Sequence, residues 1–152
     1  MPKLDLDSIP QTNATGYPPE YAQAVQGRWY RRLAPASGIT DFGFSHVVLQ
    51  PGAWSSQRHW HEGEDEFVVM VSGEAVLVDD GGETILRAGD IAAFPKGDGN
   101  GHVLQNRSGA ECVFVAVGRP SATNCHYPDL DMHLFPGAGF RRKSGEPYEA
   151  QP

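Results

Sequence analysis

The chain reads as an all-β protein, a sandwich or barrel of short strands with an extended arm before it and a tail behind it. Three observations predict this class. Gly and Pro number 18 and 12 among 152 residues, about one residue in five against an average near 12%, and that much punctuation argues against a helix bundle. Turn signals recur through the middle of the chain at Pro51-Gly52, Ser72-Gly73, Asp79-Asp80-Gly81-Gly82 and Gly89, close to the roughly 8–12-residue spacing of serial strands. Between the turns lie short runs rich in Val and Phe, the densest being Phe67-Val68-Val69-Met70-Val71. No helical period interrupts them for long enough to supply a crossover helix.

Residues 1–26 are polar and broken at Ser8-Ile9-Pro10 and Tyr17-Pro18-Pro19. They predict an extended arm with at most a helical turn over 20–25, which frays or packs on a neighbouring surface. Residues 27–118 predict the barrel domain. Its strands fall at 28–33, 41–50, 54–60, 66–71, 74–78, 83–87, 90–94, 102–106 and 112–117, with Asp79-Asp80-Gly81-Gly82 as a hairpin turn. Residues 119–152 return to Pro- and Gly-rich sequence with one short strand near Met132–Phe135. The tail carries Tyr127, Leu134, Phe135 and Phe140, anchors that suit a segment wrapping the barrel or a partner subunit.

A chain of this length buries about 68–70% of its unfolded surface, enough for a core without staples. Lys plus Arg is 12 and Asp plus Glu is 19, a net charge of −7 with no basic block. That argues against nucleic acid and against an anionic membrane surface. No apolar run approaches the roughly 18 residues of a membrane span. Met1 to Asp7 offers no apolar core for a secretory signal. Cys112 and Cys125 lack CxxC spacing, so both are expected as thiols in a reducing cytoplasm.

The chemistry concentrates in two segments. Residues two apart on a strand face the same way, so His59 and His61 present both imidazoles to one side, and Glu66 opens the next strand. Two ring nitrogens and a carboxylate suit a divalent first-row ion such as Zn, Fe, Mn, Ni or Cu. In the second segment His102 begins a strand after a Gly-rich loop, and a three-His, one-carboxylate site results if that strand lies beside the first. Alternation puts Gln57 with the two histidines, Val68 and Met70 with Glu66, and Leu104 and Asn106 with His102, and turns Arg58 and Trp60 away. A register slip of one residue would substitute Asp65 for Glu66. His46 is either an acid or base lining the pocket or a surface residue, and Trp54 and Phe94 either floor the cavity or pack outside it. His126 and His133 read as solvated. Gly97-Asp98-Gly99-Asn100-Gly101 has no following Lys-Ser/Thr and is a turn, not a phosphate loop.

Both segments together resemble the cupin superfamily. Gly52, His59, His61, Glu66 and Gly73 follow its first motif with the initial gap one residue longer than usual. Gly89, Pro95, Gly97, His102 and Asn106 follow its second, with two extra residues before the histidine. The likeness covers roughly residues 40–118. It implies a jelly-roll β-barrel (a double-stranded β-helix) and a divalent transition metal, one per chain (Zn, Fe, Mn or Ni), on His59, His61, Glu66 and His102. Four ligands leave coordination positions open, as in a catalytic site. The resemblance admits sugar or sugar-phosphate isomerases, with a slight lean towards them, and also dioxygenases and decarboxylases. A barrel that binds a small molecule without chemistry is the bland alternative. His46 and Gln57 are the candidate catalytic residues, His46 as an acid or base. The expected partners are a small-molecule substrate and a second copy of the chain in a homodimer.

Overall fold

The computed structural model describes residues 2–120 and 122–149. The arm carries a one-turn helix α1 (Pro19–Ala22) that tightens into a 3-10 turn over Gln23–Val25. Pro19 stands in the first turn, where a missing N–H is an orphan anyway. Strand β1 (Arg28–Arg32) follows, then a one-turn helix α2 (Leu33–Ser37), then β2 (Gly43–Leu49). The barrel continues with β3 (Trp60–His61), β4 (Glu66–Ser72), β5 (Glu74–Asp79), β6 (Gly82–Arg87), β7 (Ile91–Phe94), β8 (Val103–Gln105) and β9 (Cys112–Gly118). The tail adds β10 (Cys125–Tyr127), β11 (Met132–Phe135) and β12 (Gly139–Arg141).

The strands form a five-stranded sheet in the order β1-β2-β9-β4-β7, a four-stranded sheet β12-β11-β10-β3, and a three-stranded sheet β6-β5-β8. Isolated bridges Trp54 to Gln105 and His59 to His102 tie the last two together. The strand period shows directly in β4, where Val68 and Met70 are buried while Phe67 and Val71 are exposed. Val68 and Met70 join Val47, Leu49, Leu104 and Phe114 in the core between the sheets. A second cluster of Cys125, Tyr127 and Met132 packs against Tyr17, Tyr21, Phe140 and Tyr148, so arm and tail share one apolar seam.

Three local expectations are corrected. Leu33 leaves the first strand because Leu33–Ser37 turns helical: Ser37 Oγ donates back to the Leu33 carbonyl, and Gly38 closes the turn at φ +74°, a left-handed position that glycine tolerates. Residues 54–60 are not one strand. Only isolated bridges form there, Trp54 with Gln105 and His59 with His102, while Ser55 Oγ accepts from Leu104 N at 2.9 Å. The tail holds three strands where the sequence suggested one, because β10 is only three residues long and gains its order from pairing with β3.

The arm is pinned. Val25 is fully buried, Trp54 N donates to the Ala24 carbonyl, Thr12 bridges Tyr30, and Arg31 Nε donates to the Ile9 carbonyl.

Candidate metal centre

His59, His61, Glu66 and His102 converge although they come from separate segments. The His59–His102 bridge brings the two histidine segments edge to edge. Glu66 opens β4 opposite Phe94 of β7. Its carboxylate becomes the focus of three rings: Oε2 lies 3.0 Å from His102 Nε2 and 3.6 Å from His59 Nε2, and Oε1 lies 3.2 Å from His61 Nε2. Phe94 stacks flat on His102 with ring centroids 3.6 Å apart. His59 Nδ1 lies 2.9 Å from the Gln57 carbonyl. Donation to that oxygen puts the proton on Nδ1 and turns the Nε2 lone pair into the cavity, the orientation a metal ligand needs.

The electrostatics follow from this crowding. Burial opposes the Glu66 charge, yet its contacts with the imidazoles of His102, His59 and His61 outweigh it and hold the carboxyl far below its ordinary range. Burial also works against a charged His61, but Cys125 and Glu66 prevail and push it up to about 10. His102 is lowered, chiefly by burial, and its Nδ1 is buried without a partner.

The convergence opens into a cavity of about 440 Å³ lined by residues of both barrel sheets, the arm and the tail. Such a volume lies within the roughly 300–1,000 Å³ range of small-molecule sites. Four lining residues carried no signal in the sequence. Cys125 stands opposite His61 in the β3–β10 register and offers a sulfur within 4.8 Å of ring nitrogens of His59 and His61. Tyr127 follows it two residues on, and Tyr17 of the arm reaches in beside it. Burial raises both phenols. Glu64 lies 3.8 Å from His61 Nδ1 and is raised, first by burial and also by Glu66. Gly118 makes room for it, since a Cβ there would meet Glu64 Oε1 at 2.6 Å.

Other expected residues go elsewhere. Gln57 does not line the cavity: its Nε2 donates to the Tyr21 carbonyl at 2.9 Å and its backbone N to Tyr17 Oη. Two-residue alternation fails there because no pleated strand runs through residue 57. His46 also misses the cavity, on the opposite face of β2 from Ser45 and Val47. Burial and the nearby Arg31 lower its pKa. Asn106 is buried and clasps its own turn, donating to the Leu49 and Ala110 carbonyls. Asp65 Oδ1 accepts from Lys96 N, leaving Glu66 to face the histidines. Phe94 lines the cavity and Trp54 does not. Arg58 pairs with Asp129 and Asp80, and Trp60 stacks on His126.

Comparisons with known proteins agree with this geometry. A model of the cupin domain matches residues 45–118. A crystal structure of a sugar phosphate isomerase from a cupin superfamily, from Silicibacter pomeroyi, is 45% identical with a TM-score of 0.91, covering 98% of this chain and 98% of that one. A cupin 2 conserved barrel domain protein from Salinispora arenicola is 25% identical with a TM-score of 0.58, over 80% of this chain and 89% of that one. An oxalate-binding protein of Thermotoga maritima is 34% identical over 74 residues, 49% of this chain and 59% of its own length, so this chain spans less than two thirds of that relative. Among the described residues no helix is long and apolar enough to cross a membrane. With both histidine segments on adjoining barrel strands and a near full-length relative in the same group, the chain belongs to the cupin superfamily.

Proposed function

We propose that this protein is a metal-dependent enzyme that isomerises a small sugar-like substrate carrying adjacent carbonyl and hydroxyl oxygens. The observation that carries it is the convergence of three imidazoles and one carboxylate on the wall of a 440 Å³ cavity. The donor set fits a divalent first-row ion (Zn, Fe, Mn or Ni), because imidazole and carboxylate suit all of them and His59 is already fixed with Nε2 inward. His59, His61, Glu66 and His102 would hold it. When bound, such an ion polarises a carbonyl and orients two substrate oxygens.

The chain's own residues supply the rest. Glu64 lies 3.8 Å from His61 Nδ1 with its pKa raised first by burial, a carboxyl placed on the cavity wall to take and return a proton. Tyr127 and Tyr17, their phenols kept neutral by burial, offer O–H donors to substrate oxygens. Phe94 and Leu104 shield the floor from water. The likeness over 98% of both chains to the Silicibacter protein described as a sugar phosphate isomerase supports this reading.

The oxalate-binding relative supports a second reading, in which the same ligands take a small diacid for decarboxylation or oxidation. Solvent deuterium separates them. Incubation of the metal-loaded protein with aldose and ketose phosphates in D₂O, followed by NMR, is expected to show deuterium at the carbon beside the carbonyl. Oxygen uptake or carbon dioxide release from oxalate, with no exchange into sugars, would favour the second reading.

The exposed Phe67, Val71 and Ile91 of β4 and β7 support a homodimer through the outer face of the five-stranded sheet. A monomeric mass by light scattering at micromolar concentration would exclude it.

A further inference from the structure

The part of the cavity wall formed by β1 carries two arginines. On β1, Arg28, Tyr30 and Arg32 alternate onto the inner face, paired with Leu49, Val47 and Ser45 of β2. Both guanidinium groups lie over the Tyr30 ring, at 5.1 and 5.9 Å. Neither meets a carboxylate within 4.0 Å among the described residues, although Asp and Glu outnumber Lys and Arg in this chain. Arg28 donates only to carbonyls, Ser55 at 2.9 Å and Ala14 at 3.4 Å, and its Nε is buried without a partner. Arg58, Arg87, Arg107 and Arg142 hold acidic partners, while Arg31 and Arg141, which do not line the cavity, donate to carbonyls. Two positive charges thus sit on the wall of the cavity without a carboxylate in ion-pair contact among the described residues.

We propose that Arg28 and Arg32 form the recognition site for the phosphate monoester of the substrate. This deepens the proposed function and rests on it for the substrate's other end. Guanidinium groups match phosphate oxygens with paired N–H donors, and Ser45, directly opposite Arg32, adds a hydroxyl on the same wall. The opposite end of the cavity carries Glu64 and Glu66, which repel a phosphate, so the two ends sort the substrate by charge. β1 and β4 are separated by β2 and β9, three strand spacings or roughly 14 Å along the sheet. Side chains from both strands shorten that span, and a phosphorylated sugar can reach across it.

The test titrates inorganic phosphate, ribose 5-phosphate and ribose into full-length protein by calorimetry, as purified and after metal removal, at constant ionic strength. Wild type is expected to bind the two phosphates in both forms, with ribose far weaker. Arg32→Gln is expected to weaken phosphate binding about tenfold, the scale of one charge-assisted contact, and Arg32→Lys to recover part of it. Arg28→Gln should lose at least as much. Arg28 also ties down Ser55 and Ala14, so the exposed Arg32 carries the test if the Arg28 variant fails to fold. Equal phosphate affinity in wild type and Arg32→Gln, no binding in wild type, or binding that disappears with the metal would each overturn the proposal. Metal content measured on the same samples separates the two readings. Arginine-dependent phosphate binding without metal keeps the subsite and removes the enzyme mechanism. Metal without phosphate binding removes the subsite alone.

Discussion

Two clusters of similar residues flank β3 and do opposite things. On the inner side His59, His61 and His102 each bring a ring nitrogen within 4 Å of the Glu66 carboxylate. On the outer face Trp60, His126 and His133 lie in a row, Trp60 stacked on His126 with centroids 4.1 Å apart and His133 edge-on to it at 4.3 Å, with Glu62 bonded to His126. Histidine and carboxylate content therefore does not make a site. The inner groups come from strands that curve around a cavity, so their atoms converge and lose water. The outer groups spread along a sheet surface, where Trp60 stacks flat on His126 and His133 meets it edge-on.

The largest expected effect breaks this comparison from both sides. His59→Ala with His61→Ala should abolish metal binding, read as metal per chain by elemental mass spectrometry. His126→Ala with His133→Ala should leave it unchanged. The inner loss should exceed the roughly 10–100-fold that changes around a metal's ligands cost. Metal retained in the first variant or lost from the second would reverse the assignment of the two faces.

Glu66→Gln against Glu62→Gln sharpens it. Without the Glu66 charge the three rings lose the group that gathers them, and metal affinity should fall by at least about tenfold. Glu62 sits at the surface, where its pairing with His126 lowers its pKa but adds little to the fold. Its variant should match wild type in metal affinity and melting temperature.

Proton competition gives a smaller, graded effect. Burial lowers the His61 pKa, but Cys125 and Glu66 raise it to about 10 in the metal-free fold. A group raised above its unfolded value stabilises the fold below that value, about 6.5, and the contribution is lost as pH rises towards 10. An ion must displace the same proton, so apparent metal affinity should rise about tenfold per pH unit for one proton released. The melting temperature of loaded minus metal-free protein should widen from pH 6.5 to 9. A flat difference would mean His61 is not a ligand.

Much of this was legible because it is local. Turn glycines such as Gly52, Gly73 and Gly89, at φ +85°, +73° and +91°, and the in-out alternation of Glu66, Val68 and Met70 are set by neighbours in sequence. The cavity's other contributors were not legible. Cys125, Tyr127 and Tyr17 reach it only because β10 pairs with β3 and the arm packs on the tail, contacts made across tens of residues that no local period records. The paired arginines were hidden for a different reason: alternation places Arg28 and Arg32 on one face, but which face is inner depends on β2.

Gln57 shows where alternation itself breaks, and it supplies the smallest effect. Counted as a strand residue it belongs with His59 and His61 in the pocket. In the fold it is buried and donates to the Tyr21 carbonyl, so it secures the arm and not the substrate. Gln57→Ala should therefore cost about 1 kcal/mol, the net worth of one hydrogen bond with its acceptor left behind. For a chain of this size that is a fall of roughly 2–4 °C in melting temperature. Metal stoichiometry should stay the same, because His59 Nδ1 bonds the backbone carbonyl of residue 57 and not its side chain. A loss of activity at unchanged melting temperature would return Gln57 to the pocket. A loss of stability alone would mean that the histidine pair is oriented by main chain, which is why the residue between a serine turn and a metal ligand can change without disturbing the ligand.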